Sequence, residues 1–169
     1  MKKTSILLTF FLLFSCTDSK LVNNNFILIN KEIKNNFIIK SFLDNQDNID
    51  ISKLKGIKII NFWASWCNPC IDEVNHLNDF AYLDKENFDK IIAINIFDNL
   101  DDAKEFINIY SAKFNNYYDE TKTIPIEFGV SGVPETFFMK DNKIIYKFIG
   151  KIDLNLLNEG LAKTNDFSE

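Results

Sequence analysis

Two cysteines separated by two residues, Cys67-Asn68-Pro69-Cys70, carry the clearest chemical signal in this chain. They follow an apolar run, Ile57 to Trp63, and precede Ile71-Asp72-Glu73-Val74, which reads as a helix beginning near Cys67. Residues i and i+3 share one face of a helix, so the two sulfurs can meet. A thiol at a helix N-terminus faces unsatisfied backbone N–H groups and the positive end of the macrodipole, and both favour thiolate over thiol. Cys67, nearer the turn, is expected to be the exposed attacking sulfur, and Cys70, one turn deeper, the resolving one. Pro69 suits the first turn, where its missing N–H has no intrahelical partner to lose. A structural zinc site takes four ligands, and only Cys16 and His76 remain to supply them. A haem attachment site needs a histidine where Ile71 stands. A purely structural disulfide stays open as an alternative.

The elements that must position these sulfurs belong to one domain with a full-sized core, given 169 residues of which 46% are hydrophobic. A net charge of −5 argues against a nucleic-acid footprint, which needs clustered positive charge. The N-terminus, Met1-Lys2-Lys3 and then Ile6 to Phe14, has a basic and an apolar region of signal-peptide length. It is shorter than the about 20 residues that span a bilayer. Leu13-Phe14-Ser15-Cys16 is similar to a bacterial lipobox, which makes Cys16 the lipidated first residue after cleavage. The alternatives are ordinary cleavage nearby or an uncleaved anchor. Each sends the domain out of the cytoplasm, where cysteine pairs persist oxidised. The expected divisions are a signal peptide over 1–15, a tether and N-terminal extension over 16–36, the folded domain over 37–164, and a tail over 165–169.

Phe26 to Ile29 and Phe37 to Ile39 suggest peripheral strands, and Ile51 to Gly56 a single helical turn closed by glycine. After the strand Ile57 to Phe62 and the CxxC turn, Val74, Leu77, Phe80, Ala81 and Leu83 keep an approximate 3.6 period. Ile91 to Ile96 reads as a strand buried on both faces. Ala103, Phe106, Ile107 and Tyr110 form the next helix face. The carboxylates Asp98, Asp101 and Asp102 do not have EF-hand spacing and read as solvated helix caps. Ile124 to Gly129 reads as a short helix, Val130 to Met139 as a loop and strand, and Ile144 to Ile149 as its antiparallel partner. Asp153 caps a last helix through Leu154, Leu157 and Leu161, and Thr164 to Glu169 should fray. The core order is β-α-β-α-β-β-α.

That order, with Trp66-Cys67-Asn68-Pro69-Cys70 after the first core strand and Val133-Pro134-Glu135-Thr136 before the third, resembles the thioredoxin fold. It is an α/β architecture with a central mixed sheet flanked by helices, here with an N-terminal strand extension. Within it the chain is similar to the membrane-tethered TlpA/ResA/DsbE group, and most to DsbE, also called CcmG. The run Phe128-Gly129-Val130-Ser131-Gly132-Val133-Pro134-Glu135-Thr136-Phe137-Phe138 carries most of that resemblance. It implies that Cys67 and Cys70 are the redox pair and that Pro134 is cis and faces them. Val133 would then offer backbone groups to an extended client. Glu73 and Glu135 match acidic residues near the active site, where a carboxylate with a raised pKa could take the resolving thiol's proton. Trp66, Asn68, Pro69, Val133 and Pro134 would meet the client. Trp63 and Trp66 flank the site. Asn61 stands where thioredoxin has a buried aspartate, Asn75 where many relatives have proline, and His76 reads as a surface residue.

The resemblance implies a thiol-disulfide oxidoreductase on the outer, periplasmic face of the bacterial cytoplasmic membrane, with no cofactor beyond its redox-active disulfide. It would serve as a reductant in cytochrome c maturation, acting on apocytochrome c or a CcmH-type carrier. A membrane thiol transporter of the DsbD/CcdA kind would recharge it. The alternatives are a TlpA/ResA-like reductase for other targets, such as copper-site assembly, and a lipoprotein binding module stapled by the disulfide. A peroxiredoxin resemblance would imply an arginine beside the attacking cysteine, and the sequence has no arginine.

Overall fold

The computed structural model describes residues 26–42 and 48–168. The expected leader over 1–15, the expected lipidation at Cys16 and the expected tether from Thr17 to Asn25 lie outside the described residues. In chain order the elements are β1 (Phe26–Glu32), β2 (Ile38–Ser41), β3 (Ile49–Asp50), a 3-10 turn (Ile51–Lys53), β4 (Ile57–Trp63), α1 (Asn68–Tyr82), α2 (Lys85–Lys90), β5 (Ile91–Asn95), α3 (Leu100–Ile109), β6 (Asn116–Tyr118), α4 (Ile124–Phe128), β7 (Glu135–Lys140), β8 (Lys143–Ile149) and α5 (Leu154–Asn165). The strands form one mixed sheet in the order β1-β8-β7-β4-β5-β6-β2-β3.

β4 lies inside the sheet because its apolar run has something to bury on both faces. Ile59 and Trp63 join one core with α1, α3 and α5, through Val74, Leu77, Phe80, Phe106 and Leu157. Ile60 and Phe62 join the opposite core with Ile124 and Phe128 of α4 and with Phe137. The alternation is the period of two that a strand imposes. β5 runs parallel to β4 and β6 parallel to β5, while β7 is antiparallel to β4. The carboxyl ends of β4, β5 and β6 and the amino end of β7 therefore gather at one end of the sheet. Burial of each large α1 side chain contributes about 1.5–3 kcal/mol.

Two elements lie outside the periodicity argument. α2 buries no residue and is set by its cap, Asp84, whose side chain accepts from Asn87 N. β6 has three residues; Asn116 is buried there by its place in the sheet, and its Nδ2 donates to Ala112 O and Phe114 O. The expected fraying from Thr164 is corrected: Thr164 is buried, and its hydroxyl donates to Gly160 O at 2.7 Å. Lys140 Nζ holds the carbonyls of Asn165 and Phe167, and the Phe167 ring meets Tyr146. β1 closes the sheet edge, so the N-terminal extension contributes a strand to the sheet itself.

Candidate active site

β4 ends at Trp63, the chain turns through Ala64, Ser65 and Trp66, and α1 begins with Cys67 as its N-cap. The cap is the cysteine sulfur itself: Cys70 N donates to Cys67 Sγ at 3.2 Å, and Cys67 and Cys70 are joined as a disulfide. Pro69 occupies the first turn, as expected. One expectation is corrected. Cys67 was expected to be exposed, yet it is 3% exposed and Cys70 1%. Trp66 Nε1 donates to Phe97 O, 3.3 Å away, and ties the turn across the end of the sheet. Asn68 and Pro69 remain exposed beside the sulfurs.

The loop after β5 is tied to the CxxC turn by a carboxylate read from sequence as a solvated cap. Asp98 accepts from Ser65 N (2.6 Å), Ser65 Oγ (2.7 Å), Asn95 Nδ2 (2.7 Å) and Asn99 N (2.9 Å). The cap of α3 is its neighbour Asn99, which accepts from Asp101 N. Phe97, just before Asp98, has φ +52° and an exposed ring. That conformation is an outlier for a bulky residue and marks a site where surrounding contacts over-determine the backbone. Trp66 and Phe97 form one wall of a cleft of about 240 Å³, and Val130 to Val133 form the other. The tryptophans divide between two tasks. Trp66 is 63% exposed at the cleft, whereas Trp63 is buried and stacks on Phe106 with centroids 4.7 Å apart.

The Val133–Pro134 peptide bond is cis, as the resemblance implied. Because Phe62 pairs with Glu135, the Pro134 turn lies beside the end of β4 from which the CxxC turn departs. Val133 packs against the core cluster that holds both cysteines.

The fold separates the two candidate acids. Glu73 lies three residues beyond Cys70 on α1, is 1% exposed, and faces the same core as the sulfurs. Its Oε1 accepts from Asn61 Nδ2 at 2.9 Å and its Oε2 from Ile152 N at 3.1 Å; Asn61 Nδ2 also donates to Thr136 Oγ1. Burial pushes the Glu73 carboxyl up to about 7, although Asn61, Ile152 N and Lys151 oppose the rise. Glu135 is fully buried. It precedes Thr136 on β7, so strand alternation turns it to the other face of the sheet. There its Oε1 accepts from Ser131 N at 3.0 Å and from the Ser131 hydroxyl, and its Oε2 pairs with Lys147 Nζ at 3.5 Å. Lys147 Nζ also donates to Gly129 O. This network pins the loop that forms the second wall of the cleft.

Sequence alone assigns no site role to Lys147, Ser131 or Phe97, and only that of a solvated cap to Asp98. The partnership of Lys147 follows from the β7–β8 register, in which it pairs with Phe137. The Ser131–Glu135 spacing is a local signal, whereas the φ of Phe97 has none. His76 is half-buried on α1. Among the described residues no cluster of three His, Cys, Asp or Glu side chains could hold a metal ion.

A family model for the AhpC/TSA family matches residues 30–148. The chain belongs to that family. Its individual relatives are more specific. The thiol-disulfide oxidoreductase ResA of Bacillus cereus is 31% identical over 129 residues, 76% of this chain and 74% of the relative. ResA of Bacillus thuringiensis is 33% identical over 105 residues, and the chain spans only 61% of that relative's length. The thiol:disulfide interchange protein DsbE of Vibrio cholerae is 33% identical over 116 residues, 67% of this chain and 61% of the relative. A DsbE crystal structure from Chlorobium tepidum superposes with a TM-score of 0.67 at 22% identity, over 82% of this chain and 99% of that one. That likeness establishes the thioredoxin-like fold. Inside the AhpC/TSA family the chain is thus similar to ResA and DsbE proteins.

Proposed function

We propose that the protein is a thiol-disulfide oxidoreductase that reduces client disulfides outside the cytoplasm, tethered to the outer face of the cytoplasmic membrane through Cys16. The observation that carries this reading is the Cys67–Cys70 disulfide at the N-terminus of α1, beside an open cleft and with a buried carboxylate one turn below. A structural staple needs neither the cleft nor Glu73.

In the reduced protein the Cys67 thiolate, stabilised by the α1 N-terminus, attacks one sulfur of a client disulfide. The client's second sulfur leaves as a thiolate and is protonated by solvent. The Cys70 thiol then gives its proton to Glu73, on the same helix face three residues on, and attacks Cys67 Sγ. The client's first sulfur leaves, so the client gains two electrons and the protein becomes the Cys67–Cys70 disulfide. A carboxyl held near 7 accepts a thiol proton at neutral pH and returns it readily. Trp66, Asn68, Pro69, Val133 and Pro134 frame the approach of an extended client. Glu135, ion-paired with Lys147 on the opposite face, positions the Val130–Val133 wall. The client class is apocytochrome c or its CcmH-type carrier, in line with the DsbE name among the relatives, and a DsbD/CcdA-type transporter restores the thiols.

The test uses two oxidised peptides, one with a Cys-x-x-Cys-His disulfide and one with an unrelated disulfide. The reduced protein should yield one dithiol peptide per Cys67–Cys70 disulfide formed, and Cys70→Ala should accumulate a mixed disulfide through Cys67. A rate at least tenfold higher for the haem-attachment peptide supports the maturation role. Equal rates remove that role and leave the oxidoreductase, while no reaction with either removes both.

A further inference from the structure

Hydrogen bonds fix the chain on both sides of Phe97. Ile96 N donates to Trp63 O at 3.0 Å, Phe97 O accepts from Trp66 Nε1 at 3.3 Å, and the Asp98 carboxylate accepts four bonds. To join these anchors the backbone passes through φ +52° at residue 97. Glycine or asparagine takes that conformation at little cost, whereas a bulky side chain disfavours it. The other non-glycine residues with positive φ among the described residues are Asn30, Ser111, Lys122 and Asp141, none of them aromatic. Phe97 is also 54% exposed, so core packing gives no reason for a phenylalanine there. A strained residue held in place by its surroundings points to a function for its side chain.

The Phe97 side chain lines, with Trp66, the cleft of about 240 Å³ that faces Val130 to Val133. None of the described residues lining this cleft carries a charge. The nearby carboxylates are occupied elsewhere, Asp98 by its four donors and Glu135 by Ser131 and Lys147. An apolar cavity of about 150 Å³ takes one benzene ring, and pockets for drug-sized ligands begin near about 300 Å³. The cleft therefore suits one large apolar side chain. Its place tells whose side chain that is. Trp66 directly precedes Cys67, and Val133 directly precedes Pro134, so a client bonded to Cys67 Sγ lies along the cleft. Alternate residues of an extended chain point to one side about 7 Å apart, which confines the entering side chain to the neighbourhood of the client's cysteine.

We propose that Phe97 is a specificity-determining residue, whose ring completes an apolar cleft that selects client disulfides with a bulky apolar side chain within two residues of the attacked cysteine. This inference rests on the oxidoreductase reading above and adds the local sequence of the client. The bonds exchanged are those of that reaction. Cys67 Sγ bonds to the client sulfur as the client disulfide breaks, and Cys70 then displaces the client, which has gained two electrons and two protons.

The test uses one-cysteine peptides, each joined to a second copy of itself as a disulfide. The reference peptide has serine at all four positions from two before to two after the cysteine; each of the others has phenylalanine at one of them. The full-length reduced protein is mixed with each, and release of peptide thiol is followed. Phenylalanine at one or more positions should raise the rate constant at least about tenfold over the reference, the discrimination that burial of one large apolar side chain supplies. In Phe97→Asn and Phe97→Gly, which both suit the positive φ, that ratio should fall to about threefold or less. A change in Cys67 reactivity enters both rates and cancels from the ratio. Phe97→Leu, which keeps apolar bulk, should retain most of the preference. Equal rates for all peptides with the unmodified protein, or a ratio undiminished in the asparagine and glycine variants, overturns the assignment and leaves the oxidoreductase intact. Loss of the fold in both variants, seen by thermal unfolding, shows the ring to be a core element and equally overturns it. No reaction with any peptide overturns the oxidoreductase reading and the selection with it.

Discussion

Replacing Glu73 with glutamine should abolish a specific pH dependence of stability. Unfolded, the Glu73 carboxyl titrates near its usual 4.5; folded, burial pushes it up to about 7. Below about pH 4.5 both states are protonated and the stabilising excess is complete. Above that value the unfolded chain ionises freely while the folded chain must charge a group that is 1% exposed, so stability falls until the pH passes about 7. At about 1.4 kcal/mol for each tenfold change in proton affinity, a rise from 4.5 to about 7 makes this loss roughly 3 kcal/mol. The oxidised protein and its Glu73→Gln variant are compared by urea unfolding from pH 4.5 to 8. Glutamine presents an amide where Ile152 N now donates to Oε2, so absolute stability also changes; the pH slope is the diagnostic. Wild type should lose about 3 kcal/mol more than the variant across the window. Parallel slopes would refute the assignment of a buried, high-pKa carboxyl, and with it the proposed proton acceptor for Cys70.

Three further substitutions probe the frame of the site. Lys147→Met leaves Glu135 buried without its cation and should cost about 3–5 kcal/mol in urea unfolding at neutral pH; the double variant with Glu135→Gln should recover much of it, and additive losses would deny the pairing. Asp98→Ala removes the acceptor of four hydrogen bonds around Ser65 and Asn95; at about 1 kcal/mol or less each after solvent replaces some, about 2–3 kcal/mol should be lost, with faster hydrogen exchange at Ser65. Unchanged exchange there would show that the two loops are held by other contacts. Gly160→Ala gains about 1 kcal/mol in helix propensity, but its Cβ would sit 2.2 Å from Phe138 Cζ in the core. Overpacking costs about 1–3 kcal/mol or more, so thermal unfolding should show net destabilisation, and an equal or higher midpoint would contradict that packing.

The sequence by itself determined the local parts of this protein. The CxxC pair, Pro69 in the first turn, the apolar runs at Ile57 to Trp63 and Ile91 to Ile96, the hairpin from the strand ending at Met139 to Ile144–Ile149 and the capped last helix are near-neighbour patterns, and they recur in the structure with small shifts of boundary. The β-α-β-α-β-β-α core order was legible in the same patterns, whereas the cis Val133–Pro134 bond was carried by the resemblance. Elements without periodicity were silent: α2 buries nothing, and β6 has three residues. Only the tertiary structure decided which groups share a face. It placed Glu73 beneath the cysteines and Glu135 behind the sheet, because one lies a helical turn from Cys70 and the other one residue out of phase with Thr136. It turned Asp98 from a solvated cap into the tie between two loops, nearly buried both sulfurs, and brought the N-terminal strand to the disulfide end. The faces to which Glu73 and Glu135 point, the Asp98 tie and the position of β1 depend on residues far apart in the chain, and strand register, unlike helix period, is fixed by the partner strand.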